Sequence, residues 1–227
     1  MNDFVIEPPA RAALPVEGGG LFPVRRVYCV GRNYAAHAVE MGHDPDRDPP
    51  FFFAKSRETL DPSGAFPYPA RSADVHHEVE LAVALGKGGR DIAVADALAC
   101  VWGYAVALDM TRRDLQAEAK RLARPWETAK AFDRSAPIGP LVPAARVGHP
   151  DRGAIALAVN GELRQEGDLA QMIWKVPEMI AFLSGFFELA PGDLILSGTP
   201  AGVGPVVRGD RMLARIAGLP DLEVRVV

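Results

Sequence analysis

Three carboxylates carry the strongest chemical signal in this chain of 227 residues. Glu78 and Glu80 lie in the alternating run HHEVELAVALG, residues 76–86. Read as a strand, Val79, Leu81, Val83 and Leu85 form one apolar face, while Glu78, Glu80, Ala82 and Ala84 share the other. Two acids ~7 Å apart along a strand, cushioned by alanines, repel each other and are desolvated unless a cation lies between them. Asp109 ends the apolar run VWGYAVAL, residues 101–108, and supplies a third acid at the tip of a rigid element. An all-oxygen set without histidine or cysteine suits Mg²⁺ or Mn²⁺ over Zn²⁺ or Cu²⁺. On spacing alone, the two glutamates also fit the solvated face of an ordinary edge strand.

Other side chains fall where they could serve such a centre. Arg113 and Gln116 follow Asp109 at offsets of four and seven, so a helix would bring them to one face. Arg113 could bind a substrate carboxylate and Gln116 orient an oxygen, or the pattern could be a helical ion pair. Lys130 sits among small apolar residues in ETAKAFD, where it could stabilise an enolate or simply snorkel to the surface. His37 and Glu40, spaced i, i+3 on an expected helix from Tyr34 to about Met41 capped by Asn33, could draw a proton from water or be an exposed charge pair. The proline-rich HDPDRDPP that follows reads as a lid. Thr199 lies in GTPAGVG, which lacks the GK[ST] ending of a phosphate loop and reads instead as a tight turn able to hold a carboxylate. No G-x-S-x-G is present, and His43, His76, His77 and His149 lack zinc spacing.

Positioning these groups needs strands. Twenty prolines and 22 glycines spread along the chain punctuate many short elements, which favours a β-rich α+β fold, a mixed β-sandwich or roll with peripheral helices. Thr111, with Asp114 three residues on, is expected to cap a helix to about Arg124, Asn160-Gly161 signals a type I′ hairpin, and Gly209-Asp210 a second hairpin-like turn. Residues 169–187 read as an amphipathic helix that Pro177 divides or kinks. The organisation is an arm with short edge strands, residues 1–23, and one catalytic domain, residues 24–227. A net charge of −4 without a basic run argues against nucleic acid, and no apolar stretch approaches the ~20 residues of a membrane helix. Cys29 and Cys100 sit in apolar runs, and no secretory leader pattern opens the chain, so a cytoplasmic protein is expected.

GRNYAAHAVEMG, FFFAKS, HHEVELAVALGK, GYAVALDMTRRDLQ, PWETAKAFD, VNGELRQEG and LSGTPAGVG occur in the order seen in the fumarylacetoacetate hydrolase family, so from about residue 24 the chain resembles that family. The resemblance implies a mixed β-roll, a homodimer, and Mg²⁺ or Mn²⁺ held by Glu78, Glu80 and Asp109. It implies a water-activating pair of His37 and Glu40, with Lys130 as the enolate cation and Arg113, Gln116, Thr199 and Lys55 at the substrate. Within the family the chain is most similar to short bacterial members that split fumarylpyruvate, a 2,4-dioxo acid, into fumarate and pyruvate. Ser56 departs from the proline that often follows the lysine. Val30 and Gly31 occupy the region of an extra aspartate ligand in longer members. Acylpyruvate hydrolysis and oxaloacetate decarboxylation or tautomerisation would use the same groups, and a non-catalytic metal- or carboxylate-binding β-roll is the alternative of another class.

Overall fold

Alternation in the acidic run is resolved by two separate apolar cores. A computed structural model describes residues 4–36 and 49–227. Its six-stranded sheet runs in the order Val142–Pro143, Val101–Leu108, Val79–Leu85, Leu194–Leu196, Val27–Gly31, Phe51–Lys55. Neighbours are antiparallel except for the parallel pairing of Leu194–Leu196 with Val27–Gly31. The acidic strand is therefore paired on both sides, which removes the solvated edge-strand alternative.

Val79, Leu81, Val83 and Leu85 face the larger core. Ile155, Leu157, Met212 and Ala214 of a second, five-stranded sheet meet them there, with Met179, Ile180 and Leu183 of the helix Val176–Phe186. The opposite face is small: Ala82, Ala84, Ala105 and Ala107 form a second core with Cys29, Leu194 and Leu196. That shallow surface is covered by Leu14 and Phe22 from the antiparallel pair Ala13–Pro15 and Leu21–Pro23. The arm thus has the expected short strands, and their apolar side chains are part of a core. The helices and several sheets match the expected β-rich α+β class.

Asn160 and Gly161 turn at φ 52° and 83° between Ala154–Val159 and Glu162–Asp168, the left-handed pair that a type I′ hairpin needs. Pro177 lies in the first turn of Val176–Phe186, where a missing N–H costs nothing, and the preceding apolar residues form a separate 3₁₀ turn, Leu169–Gln171.

Four expectations are corrected. The run 76–86 is two strands, Val75–His77 and Val79–Leu85, broken at Glu78, because the first pairs in a different sheet with Thr111–Arg112 and Gly204–Val206. Thr111 is in a strand, and its hydroxyl donates to the Asp109 carbonyl (3.2 Å), so it does not cap the helix Arg113–Arg121. Asp109 consequently shares no helix face with Arg113. Gly209-Asp210 joins strands that do not pair, since Arg211–Ile216 pairs with Leu222–Val226. Finally, the Asn33 side chain makes its hydrogen bonds to other loops, and the helix expected after it lies largely outside the described residues, as do His37, Glu40 and most of the HDPDRDPP segment. Among the described residues, no helix is long and apolar enough to cross a membrane.

Candidate metal centre and its cleft

Backbone register brings the three acids together. Val79 pairs with Leu108 and His76 with Thr111, so Glu78 lies across from Asp109. The Asp109 N–H donates to the Glu78 carbonyl at 2.8 Å. Residues directly across an antiparallel pair share a face, and Glu80, two residues on, shares it too. Each acid offers one oxygen in a set whose members all lie within 4.8 Å of one another. The residues are 5%, 2% and 0% exposed, in the order Glu78, Glu80, Asp109.

Among the described residues, three cations attend them. The Lys130 ammonium lies 2.7 Å from Glu78 Oε2 and 2.7 Å from Asp109 Oδ2. Burial works against its charge, but Asp109 and Glu78 outweigh it and hold its pKa above the ordinary lysine value. Arg113 reaches Glu78 Oε1 at 2.5 Å and Gln116 Oε1 at 2.7 Å. Lys55 pairs with Asp109 Oδ1 at 2.8 Å, donates to Ser135 Oγ at 2.8 Å, and also contacts the Lys130 carbonyl. Glu80 differs: among the described residues no lysine or arginine pairs with it, and its Oε2 accepts only the Gly198 N–H, at 2.8 Å. Burial, then the charges of Asp109 and Glu78, push its pKa well above the usual carboxylate range. A buried carboxylate without a cation, beside two that share theirs, is the arrangement that a divalent ion would complete. The residues fit such an ion by donor type and by oxygen spacing.

Gly198 must be glycine for that bond to form. Its φ is +90°, and a Cβ there would lie 2.7 Å from Asn33 Cβ. Asn33 itself is fixed by donating to the carbonyls of Ser197 (2.8 Å) and Trp174 (2.9 Å) and accepting from the Trp174 N–H (2.7 Å).

The acids and Lys130 line an open cleft. Arg113, Gln116 and Thr199 are among the residues that line it, and Lys55 is not. Lys55 lies instead against Asp109, through the ion pair with its Oδ1. The Thr199 hydroxyl accepts from Gln165 Nε2 at 2.8 Å. Gln165 also bonds the Val79 N–H (3.1 Å) and His77 Nδ1 (2.9 Å). His76 lies 3.4 Å from Arg113 Nε and 2.8 Å from Asp74. Neither Gln165 nor the two histidines stood out in sequence. The His-His pair directly before Glu78 was the available signal, whereas Gln165, a lone buried residue in a polar strand, offered none.

Arg32, Lys120, Phe51, Phe53 and Trp126 also line the cleft. The Phe51 ring meets Trp126 edge-on, with centroids 5.6 Å apart, and Phe53 lies 5.9 Å from the same ring.

The sequence pattern of the fumarylacetoacetate (FAA) hydrolase C-terminal family matches residues 26–227. A fumarylpyruvate hydrolase from Pseudomonas aeruginosa, solved in complex with Mn²⁺ and pyruvate, is 56% identical, with a TM-score of 0.97 over 99% of both chains. The mitochondrial oxaloacetate tautomerase FAHD1 of Arabidopsis thaliana is 44% identical over 198 residues, 87% of this chain and 89% of that protein. Oxaloacetate tautomerase YcgM of Escherichia coli is 43% identical over 198 residues, 87% of this chain and 90% of the relative. With residues 26–227 matched and relatives of this identity aligned along nearly its whole length, the chain belongs to the fumarylacetoacetate hydrolase family.

Proposed function

We propose that this chain hydrolyses the carbon–carbon bond of a 2,4-dioxo acid, fumarylpyruvate, to fumarate and pyruvate. Glu78, Glu80 and Asp109 would hold Mn²⁺ or Mg²⁺. The observation that carries the reading is the buried carboxylate trio in which, among the described residues, no lysine or arginine pairs with Glu80. Its nearest support is the likeness to the fumarylpyruvate hydrolase solved with Mn²⁺ and pyruvate.

A bound divalent ion supplies Lewis acidity toward adjacent carboxylate and keto oxygens. Arg113 and Gln116 orient the carboxylate end of the substrate, and Thr199, held by Gln165, donates from the opposite wall. His37, oriented by Glu40, takes a proton from water, and the water oxygen adds to the distal C4 carbonyl. The C3–C4 bond then breaks, leaving its electron pair on the pyruvate fragment. Lys130 faces that developing charge, and C3 takes a proton to give pyruvate. The family resemblance extends the reading to a homodimer in the cytoplasm.

A second reading, oxaloacetate tautomerisation, is favoured by the two tautomerase relatives. It needs enolate stabilisation but no attacking water. A kinetic panel separates the two. With Mn²⁺, fumarylpyruvate is expected to exceed oxaloacetate and acetylpyruvate in kcat/KM, chelation is expected to abolish turnover, and His37→Ala is expected to lower hydrolysis about 10²-fold or more. Faster oxaloacetate enol–keto interconversion, undiminished in His37→Ala, would reverse the order. Mn²⁺ binding without any turnover would make the chain a binding protein.

A further inference from the structure

One buried amide reaches both the acidic strand and the loop that carries Thr199. Gln165 is fully buried, the one buried side chain of the strand Glu162–Asp168. A β-bulge turns it inward. Leu157 pairs with Gln165 but Ala158 pairs with Leu163, which leaves Arg164 as the extra residue. In an unbroken ladder Gln165 would lie across from Ala156, on the half-buried face of Ala154–Val159. The bulge sets it across from Leu157, which is fully buried. The Thr199 loop comes close to this strand because position 202 is glycine. Its φ is +91°, and a Cβ there would collide with the Arg164 carbonyl oxygen.

Two backbone groups decide which way the amide points. The Val79 N–H, between Glu78 and Glu80, can only donate, so the atom 3.1 Å from it is Oε1. The Pro200 carbonyl can only accept, so the atom 2.9 Å from it is Nε2. A reversed amide would set donor against donor at Val79 and acceptor against acceptor at Pro200. His77 Nδ1, 2.9 Å from Oε1, accordingly carries its proton toward that oxygen. The same polarity governs Thr199. Nε2 has no lone pair to offer, so the hydroxyl 2.8 Å away accepts from it. The hydroxyl proton is left for another partner, and among the described residues none accepts it. Thr199 lines the cleft together with Glu80 and Lys130.

We infer that Gln165 is a positioning residue that makes the Thr199 hydroxyl a donor toward the cleft, so that the ligand atom met there is one that accepts, a carboxylate or keto oxygen. This rests on the proposed hydrolase reading, which uses Thr199 as a donor, and names the group that removes the opposite orientation. Gln165 touches no reacting atom and acts through Thr199.

The test is a double-mutant cycle on full-length, Mn²⁺-loaded protein, with pyruvate as the probe and calorimetry as the readout. Thr199→Val and Gln165→Met are each expected to weaken pyruvate binding roughly tenfold, the loss of one hydrogen bond to a charged group. The double variant is expected to bind within about twofold of either single variant, because Gln165 then has no hydroxyl to orient. Mn²⁺ affinity, read from the electron spin resonance of the free ion, is expected to stay within about twofold in Gln165→Met. Gln165→Met leaves the Val79 N–H and the Pro200 carbonyl without their partner, so Gln165→Glu is the second variant. It keeps an acceptor for Val79 and His77 but offers Thr199 an acceptor in place of a donor. Pyruvate affinity is expected to fall in Gln165→Glu as well, and adding Thr199→Val to it is expected to change nothing further. Losses that multiply to about a hundredfold in the double variant would overturn the assignment. So would undiminished pyruvate affinity in Gln165→Glu, a loss of Mn²⁺ affinity of about tenfold in Gln165→Met, or a wild type that does not bind pyruvate. If the wild type splits no dioxo acid, the hydrolase reading falls, while the pyruvate cycle still decides whether Gln165 acts through Thr199.

Discussion

Lys130 divides its ammonium between Glu78 and Asp109 and is almost wholly buried, so its removal would leave two carboxylates facing each other in a dry site. Breaking a buried pair from one side costs about 3–5 kcal/mol. Lys130→Met is therefore expected to lower stability by that order in chelator, as read by urea unfolding, and to recover much of it in Mn²⁺, which replaces the lost positive charge. A loss that Mn²⁺ does not diminish would mean that Lys130 supports packing rather than charge. The acids themselves were legible, because E-x-E among alanines is costly without a cation. The pairing of Lys130 with them was not, since a lysine between two alanines looks the same whether it points inward or outward. Lys55 shows the complementary limit: its motif brought it near the site, but only the tertiary contacts with Asp109 and Ser135 put it against the carboxylate and not among the residues that line the cleft.

At the level of elements, the strand Val75–His77 and the type I′ hairpin are joined through His77 and Gln165. Burial, partly offset by the Gln165 bond, holds the His77 pKa below its ordinary 6.5. A histidine lowered in the folded state is protonated first in the unfolded chain. Its contribution is present above about pH 6.5 and is lost as pH falls toward the folded value. Urea midpoints measured from pH 8 down to 5 are expected to fall less steeply for His77→Gln, which keeps a donor for Gln165, than for the wild type. Parallel curves would exclude His77 as the source. Local signals decided the elements that were read correctly: Asn160-Gly161 set its turn, and Pro177 set where the helix starts. The break at Glu78 and the strand at Thr111 had no local signal. The break follows from the pairing of Val75–His77 with Gly204–Val206, the strand at Thr111 from its pairing with Val75–His77, and this non-local pairing overrode a good capping pattern.

Across the whole molecule, the alternation that distinguished two faces of one strand also marks two cores. What remained hidden was the cover of the alanine face. The first 23 residues look like an appendage in sequence, yet Leu14 is 1% exposed and packs with Ala82, Ala105 and Leu196 in the second core. Leu14→Ala is expected to destabilise the protein by about 2–5 kcal/mol, the cost of a buried leucine, with one cooperative denaturant transition. Two separate transitions would make the arm an independent unit.

Because Glu78, Glu80 and Asp109 are aligned by the hydrogen-bond ladder between Val79–Leu85 and Val101–Leu108, the centre is sensitive to reading frame. One residue inserted within either strand would turn the carboxylates beyond it toward the opposite face. Length changes confined to the connection at residues 86–100 would leave the ladder in phase. The chemistry of this molecule is thus indexed by counting along two strands, and its tolerance of gain or loss of residues is concentrated in the segment that joins them.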